Sequence, residues 1–350
     1  MIERLRLVNF RCFEQASLSL DPTGAIFVGE NAQGKTSLLE AVCLLLRLQS
    51  PRARQIRQLI REGTDGFGLA GDAWERELQV RGNRKGLVLK VDGGEAGSRR
   101  EYLAESGLVV WMGNEDLDLI RGGGESRRRF LDFVAMQADA RYRHHWARYR
   151  KALSARNRYL KNYSPRDGVV MVYTRMLIED GSAMITIRKE LCERIGPLAE
   201  QKQREISGIG EVLRISYVDR AKGNLEEAFA AVEDAETRRG VTLAGPHRDD
   251  VKLTIGGRAA RDFGSEGQQR TIALALKLAQ GDLLGQAGSS SPLYLIDDVF
   301  GELDRGRRNA LMALLPQNAQ KLITTTNLDW WEKGGLDLPV IRVVNGTVES

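Results

Sequence analysis

Gly29-Glu30-Asn31-Ala32-Gln33-Gly34-Lys35-Thr36 matches G-x-x-x-x-G-K-[ST], and no other stretch constrains the fold of this chain as strongly. A loop of this form needs a strand before it and a helix after it. Residues 25–28 are a short apolar run that reads as a buried strand. Ser37-Leu38-Leu39-Glu40-Ala41-Val42 opens a helical pattern that runs to about Leu48, with Pro51 marking its end. Gly29 and Gly34 let the backbone turn tightly, so the N–H groups from Glu30 through Gln33 can converge on phosphate oxygens. The helix that begins near Lys35 aims its positive end at the same anion. Lys35 is expected to reach the outer phosphates, Thr36 to ligate Mg²⁺, and Ser37 to complete the nucleotide contacts. The expected class is therefore α/β, with a P-loop lobe that binds a nucleoside triphosphate.

At 350 residues the chain has room for about two domains. No apolar run approaches a membrane span, and residues 1–7 alternate like a strand, without a signal-peptide core. Cys12, Cys43 and Cys192 are odd in number and far apart, which argues against a disulfide framework or a zinc site and for a cytoplasmic protein. The net charge of +5 is modest, but its distribution is not. Between Arg121 and Lys161 twelve basic residues face three acidic ones, a bias that suits phosphate contacts.

Strands are expected at 3–10, 15–20, 25–28, 74–81, 86–91 and 108–111. From 126 to 206 helical spacing dominates, broken near 164–168, so two long helices should form a hairpin. Phe130, Phe133, Val134, Trp146, Tyr149, Leu153 and Leu160 would supply its apolar stripe. Residues 207–210 read as irregular and 288–291 as a loop. Beyond Gly240 the pattern returns to mixed α/β, with a helix at 274–284 and strands at 293–296, 321–325 and 339–344.

Leu293-Tyr294-Leu295-Ile296-Asp297-Asp298 is an apolar strand ending in two acids, a Walker B pattern. Such strands end at the ligand crevice of an α/β sheet, where Asp297 can meet Mg²⁺ and Asp298 can orient or deprotonate a water. Ser265-Glu266-Gly267-Gln268-Gln269 precedes a long helix over 270–284. Ser265 can cap that helix and Gly267 permits close backbone approach, but spacing alone does not separate an anion site from an ordinary cap.

The ordered set of P-loop, S-x-G-Q before a helix, Walker B strand and Gly301-Glu302-Leu303-Asp304 resembles the ABC-type ATPase heads of the SMC and RecF group. The chain is most similar to the RecF family of bacterial recombination mediators. That likeness rests on Leu7-Val8-Asn9-Phe10-Arg11, the P-loop, Ser126-Arg127-Arg128-Arg129-Phe130-Leu131-Asp132, Ala244-Gly245-Pro246-His247-Arg248-Asp249-Asp250, Gly264-Ser265-Glu266-Gly267-Gln268-Gln269-Arg270-Thr271, Leu295-Ile296-Asp297-Asp298 and Ile323-Thr324-Thr325-Thr326.

The resemblance implies an ABC-type head at 1–122 and 241–350, with the signature helix 265–284 extending from it, and a mainly α-helical second lobe at 123–240. It implies that Ser265, Gly267 and Gln268 touch the γ-phosphate held by a second copy, and that Glu302 and Asp304 form a D-loop at the dimer interface. Arg11 falls where these heads approach the nucleotide phosphate, and Arg52 where they carry an arginine loop near DNA, though a solvated surface arginine fits Arg52 equally. Asn114 takes the place of a Q-loop glutamine beside Mg²⁺. Thr325 takes the place of a switch histidine, which puts it with Lys35 and Asp298 among the catalytic candidates. His247 and Arg248 receive no role from the residues alone.

The function implied is a slow, DNA-dependent ATPase in which ATP and Mg²⁺ hold a homodimer on DNA. It would be nucleoid-associated, act at single-strand gaps, and help RecO and RecR load RecA. Arg148, Lys151 and Arg158 share one helix face and are the candidate DNA contacts, with Arg52. A transporter ATPase subunit is the alternative, but its signature usually reads L-S-G-G-Q and it has no use for a basic helical insert. An SMC-like clamp would need a longer coiled-coil arm. An OLD-type nuclease would need an acidic domain for which no length remains.

Overall fold

A computed structural model of the chain describes residues 1–208, 210–287, 291–329 and 337–349. The loop expected at 288–291 thus lies outside the described residues except for Ser291, as does Ile209 within 207–210. The chain divides into two compact units, one of residues 1–114 with 284–350 and one of residues 115–283. These boundaries differ from those expected at 122/123 and 240/241, and residues 241–283 fall in the second unit.

In chain order the elements are β1 (Ile2–Phe10), β2 (Phe13–Ser19), β3 (Gly24–Val28), α1 (Lys35–Arg47), β4 (Gly66–Ala73), β5 (Arg76–Asn83), β6 (Gly86–Val91), β7 (Gly94–Glu95), α2 (Arg99–Glu105) and β8 (Val109–Gly113). Next come α3 (Asp118–Arg121), α4 (Gly124–Ala138), α5 (Ala140–Tyr159), α6 (Gly168–Ser207), β9 (Leu213–Val218), α7 (Leu225–Arg239), β10 (Asp250–Ile255), β11 (Arg258–Ala259), α8 (Ala260–Phe263) and α9 (Glu266–Ala287). The chain closes with β12 (Leu293–Asp297), α10 (Arg305–Leu314), β13 (Lys321–Thr325), β14 (Val340–Val344) and β15 (Thr347–Glu349).

Among the described residues, the first unit holds two six-stranded sheets. One is an antiparallel meander in the order β2-β1-β4-β5-β6-β7. The other runs β15-β14-β3-β13-β12-β8, parallel from β14 to β8. Its inner strands β3, β12 and β13 are buried along nearly their whole length, as expected of a parallel sheet covered on both faces. Helix α1 packs against both sheets, so Leu38, Leu39, Val42, Leu45 and Leu46 are all buried. At Gly71 of β4 a Cβ would meet Arg4 O at 2.6 Å and Leu45 Cδ2 of α1 at 2.8 Å, so glycine permits that approach.

The parallel order places the C-terminal ends of β3, β13, β12 and β8 side by side, and the candidate residues sit at those ends. Two pairings fix this level: Asp297 lies opposite Gly113 on one side and Thr324 on the other.

The second unit is not purely helical. Its helices α5 and α6 pack as the expected hairpin, but α4 precedes them, separated from α5 at Asp139. An antiparallel sheet in the order β11-β10-β9 packs on the helices, with β9 on α6 and β10 on α4. This pairing of 250–255 with 213–218 draws residues 241–259 into the second unit.

Candidate functional site

The loop after β3 is built around two glycines with separate steric duties. A Cβ at Gly29 would lie 2.3 Å from Val343 O, on the neighbouring strand β14. At Gly34, φ is +112°, and a Cβ would lie 2.8 Å from Cys12 Sγ and 2.9 Å from the Phe13 ring. Ala32 also sits in the left-handed region, at φ +66°. Gln33 ties the loop to the β14–β15 turn, accepting from Gly346 N at 3.1 Å and, through Oε1, from Asn345 N at 2.5 Å.

Lys35 lies across this loop. Its Nζ donates to Gly29 O and Glu30 O, both at 2.6 Å. Burial pushes its pKa down, while Asp298 and Asp297 oppose that shift, so the ammonium feels both Walker B acids. Thr36 Oγ1 donates to Asp297 Oδ1 at 2.7 Å. The same oxygen accepts Thr324 Oγ1 at 2.7 Å. Thr324 Oγ1 also accepts from Asp298 N at 3.0 Å. Asp298 holds φ +54°, a strained position for a residue other than glycine. Burial raises its pKa, Lys35 lowers it and Glu302 raises it. P-loop, Walker B strand and β13 thus meet on one carboxylate.

Thr325, Asn114 and Arg11 each make contacts beyond those the sequence leads one to expect. Thr325 is buried, but its hydroxyl donates to Asn327 O at 2.8 Å and closes a turn. Its neighbour Thr324 makes the contacts to the two acids, a signal present in the Thr-Thr-Thr run but not resolvable from spacing. Asn114 does sit at the end of β8, yet its Nδ2 donates to Glu302 Oε1 at 2.9 Å, which links the Q-loop and D-loop candidates. Arg11 is held by Glu40 of α1, with Nε to Oε2 at 2.8 Å and Nη2 to Oε1 at 2.7 Å. The other D-loop acid, Asp304, caps α10 through Arg307 N at 3.0 Å and pairs with the Arg307 guanidinium. Those contacts hold its carboxyl below the usual range.

In the second unit, Ser265 and Gln268 cap α9 reciprocally. Gln268 N donates to Ser265 Oγ at 3.3 Å and Ser265 N donates to Gln268 Oε1 at 2.7 Å. Gln268 Nε2 also donates to both oxygens of Glu211 at 2.8 Å. Ser265 is exposed and Gly267 partly so, leaving the helix N-terminus open to an anion. Arg121 donates to Gln269 Oε1 at 2.7 Å and braces the same turn.

A family model described as an AAA ATPase domain matches residues 1–91. The DNA replication and repair protein RecF of Synechococcus sp. (strain JA-2-3B'a(2-13)) is 37% identical over 369 residues, covering 99% of this chain and 96% of that protein. The chain belongs to the RecF family. A solved structure of the recombination mediator protein RecF-ATP in the RecFOR pathway superimposes with a TM-score of 0.86 at 28% identity, over 99% of this chain and 96% of that one. An Smc head bound to the C-winged helix domain of ScpA matches at a TM-score of 0.57 and 16% identity, over 99% of this chain and 96% of that one, and shares the fold. The fold is thus the α/β ABC-type ATPase head with helical content that the sequence led one to expect.

This RecF-family chain spends much of its arginine-rich segment internally. Arg156, fully buried, binds Glu236 at 2.6 Å, Thr174 and Thr242 at 2.9 Å, and stacks on Phe229. Arg127 grips Asp250 at 2.8 and 3.1 Å. Arg148 Nε pairs with the buried Asp180 at 3.0 Å, and His145 shares that carboxylate at 3.0 Å. Arg148 therefore fastens α5 to α6 while its side chain stays 40% exposed, and Lys151 and Arg158 are exposed. Arg52 is exposed as well.

The Gly245–Asp250 string acquires a physical role. Tyr149 Oη bonds His247 Nδ1 at 2.6 Å, Tyr217 donates to Asp249 at 2.6 Å, and Arg188 donates to Pro246 O at 2.7 Å and to Asp132 at 2.6 Å. These residues organise the interior of the second unit. Among the described residues no helix is long and apolar enough to cross a membrane.

Proposed function

We propose that this chain is a DNA-dependent ATPase of recombination and repair, in which ATP joins two copies on DNA and hydrolysis releases them. The observation that carries the reading is the double hydroxyl contact on Asp297 beside Lys35, in a chain of the RecF family. The loop fits a triphosphate because Gly29 and Gly34 permit the close approach to Val343 and to Cys12 and Phe13 that the tight turn requires, and because its lysine lies across the loop, bound to carbonyl oxygens. Glu30, Asn31, Ala32, Gln33 and Gly34 would offer backbone N–H groups, Lys35 a charge for the outer phosphates, and Ser37 a further hydroxyl.

Thr36 and Asp297 would hold Mg²⁺, with the carbonyl oxygen of Asn114 as a third donor. When bound, Mg²⁺ neutralises charge on the phosphate oxygens. Asp298 would orient a water and take its proton, and its shorter reach than glutamate suits slow turnover. Ser265, Gly267 and Gln268 would present the open end of α9 to the γ-phosphate held by the second copy, with Glu302 and Asp304 flanking that interface. Lys151 and Arg158, with Arg52, would contact phosphates without reading sequence. Loading of RecA at single-strand gaps with RecO and RecR follows from family membership as part of the same proposal, as does a place at the nucleoid.

The deciding measurement is binding to gapped, single-stranded and duplex DNA with ATP or ADP, with dimerisation recorded by sedimentation. ATP-dependent retention on DNA together with a dimer supports the reading. A monomer whose DNA affinity ignores nucleotide rejects it.

A further inference from the structure

Glu40 is a fully buried carboxylate on α1 that takes no part in the chemistry just described. Its partners come from two separate loops. Arg11, in the β1–β2 turn, grips it with two N–H groups at 2.7 and 2.8 Å. Ser50, just past α1, donates its hydroxyl to Oε1, the oxygen that also accepts Arg11 Nη2. Ser50 Oγ in turn accepts from Arg52 N at 3.1 Å and Ala53 N at 2.6 Å, so it caps the start of the 50–58 segment. That segment carries three exposed arginines, Arg52, Arg54 and Arg57.

The far end of the segment returns to the same turn. Arg11 N donates to Leu59 O at 2.9 Å and Arg61 N donates to Asn9 O at 2.9 Å. The arginine-bearing segment is thus fastened to the Arg11 turn at both ends. The turn itself abuts the phosphate loop, because the next residue, Cys12, is what a Cβ on Gly34 would strike. Asn9 and Arg11 both hold left-handed backbone, at φ +52° and +55°, so the turn has little freedom to adjust locally.

We infer that Glu40 is a positioning residue that couples the phosphate loop to the Arg52–Arg57 surface, so that nucleotide and nucleic-acid phosphate bind with positive cooperativity. A buried carboxylate cannot lose a charged partner without a large penalty, so Arg11, Glu40 and Ser50 shift as one body. Nucleotide contact with the loop then changes the placement of the three arginines, and by linkage DNA changes nucleotide affinity by the same factor. This rests on the ATP-dependent DNA-binding reading above.

The test measures the affinity of the full chain for gapped DNA with and without a non-hydrolysable ATP analogue, and takes the ratio. Ser50→Ala keeps the Arg11–Glu40 pair and cuts only the link to the arginine segment. It should leave analogue affinity without DNA unchanged and lower the ratio by about 5-fold or more, the small end of typical coupling. Glu40→Gln, which keeps an acceptor but not the charge, should lower it further. Analogue affinity measured with and without DNA should change by the same factor in each variant. A wild-type ratio near one rejects the ATP-dependent reading and this coupling with it. A large wild-type ratio that persists in folded Ser50→Ala and Glu40→Gln chains overturns the coupling alone.

Discussion

The hydroxyl of Thr324 touches both acids of the Walker B strand, donating to Asp297 and accepting from the backbone of Asp298. Thr324→Val keeps the shape and removes both bonds. A hydrogen bond to a charged group is worth about 1.5–3 kcal/mol, so single-turnover ATP hydrolysis should slow about 10- to 100-fold. Thr325→Val should change it by less than about 3-fold, because that hydroxyl closes a turn on Asn327. Equal losses in the two variants would remove Thr324 from the site. Both threonines are visible in the sequence, but which one faces the acids depends on strand register, and a shift of one residue reverses every side chain. The same limit hid the role of His247, whose partners Tyr149 and Thr242 are distant in sequence or reached through the backbone.

His247 also carries a pH signature. Burial lowers its pKa from 6.5 to about 4, helped by Arg248, Arg128 and Arg188. The folded chain therefore binds this proton less tightly than the unfolded chain. Its contribution to stability is complete above the ordinary histidine pKa and is lost as pH falls from about 6.5 towards about 4. The full loss is on the order of 3 kcal/mol. His247→Gln keeps an acceptor for Tyr149 and should flatten the fall in Tm over that range. A variant with the wild-type slope would assign the pH dependence to other groups.

At the scale of elements, short strands bounded by turns were legible, and 86–91 and 321–325 coincide with β6 and β13. Strand β4 was not, because Gly66, Gly68 and Gly71 interrupt the alternation of Phe67, Leu69 and Ala73. The turn after it is equally concealed. Trp74 and Glu75, expected to begin a strand, take φ +51° and +62° and join β4 to β5, a turn usually marked by glycine or asparagine. In the second unit Val251, Leu253 and Ile255 alternate cleanly in β10, but its partner β9 lies on the far side of α7 in the sequence, and local pattern does not encode that pairing. The basic helix α5 shows the opposite limit. Its charges were plain, while their division between surface and interior depends on what α6 supplies. Arg148→Ala leaves the buried Asp180 with His145 alone and should lower stability by about 1–3 kcal/mol in thermal melts. Replacing Lys151 and Arg158 with Glu should leave stability within about 0.5 kcal/mol. The same pair should weaken DNA binding and reduce the log–log salt slope by about 0.7–0.9 per lost contact. Unchanged melting of Arg148→Ala would remove its role in fastening α5 to α6.

For the whole molecule, the motifs that would meet on one nucleotide lie in different units. Lys35, Thr36, Asp297 and Asp298 belong to the first and Ser265, Gly267 and Gln268 to the second. The order of motifs along the chain made the head legible, because each motif strengthens the reading of the next. Whether a signature serves its own chain or another is a question of assembly, and local pattern does not encode it. Complementation decides it. Lys35→Met removes the phosphate charge but keeps the signature, and Ser265→Arg obstructs the signature but keeps the P-loop. Each variant alone should show little ATP turnover, with the Lys35→Met chain failing to bind ATP and the Ser265→Arg chain binding it as a monomer. In a mixed dimer, the P-loop of the Ser265→Arg chain faces the signature of the Lys35→Met chain, which restores one composite site of two. If the chains pair at random, an equal mixture should recover about a quarter of wild-type turnover. A mixture no more active than its components would mean that each nucleotide is completed within a single chain, and the ATP-dependent dimer would then lose its chemical basis.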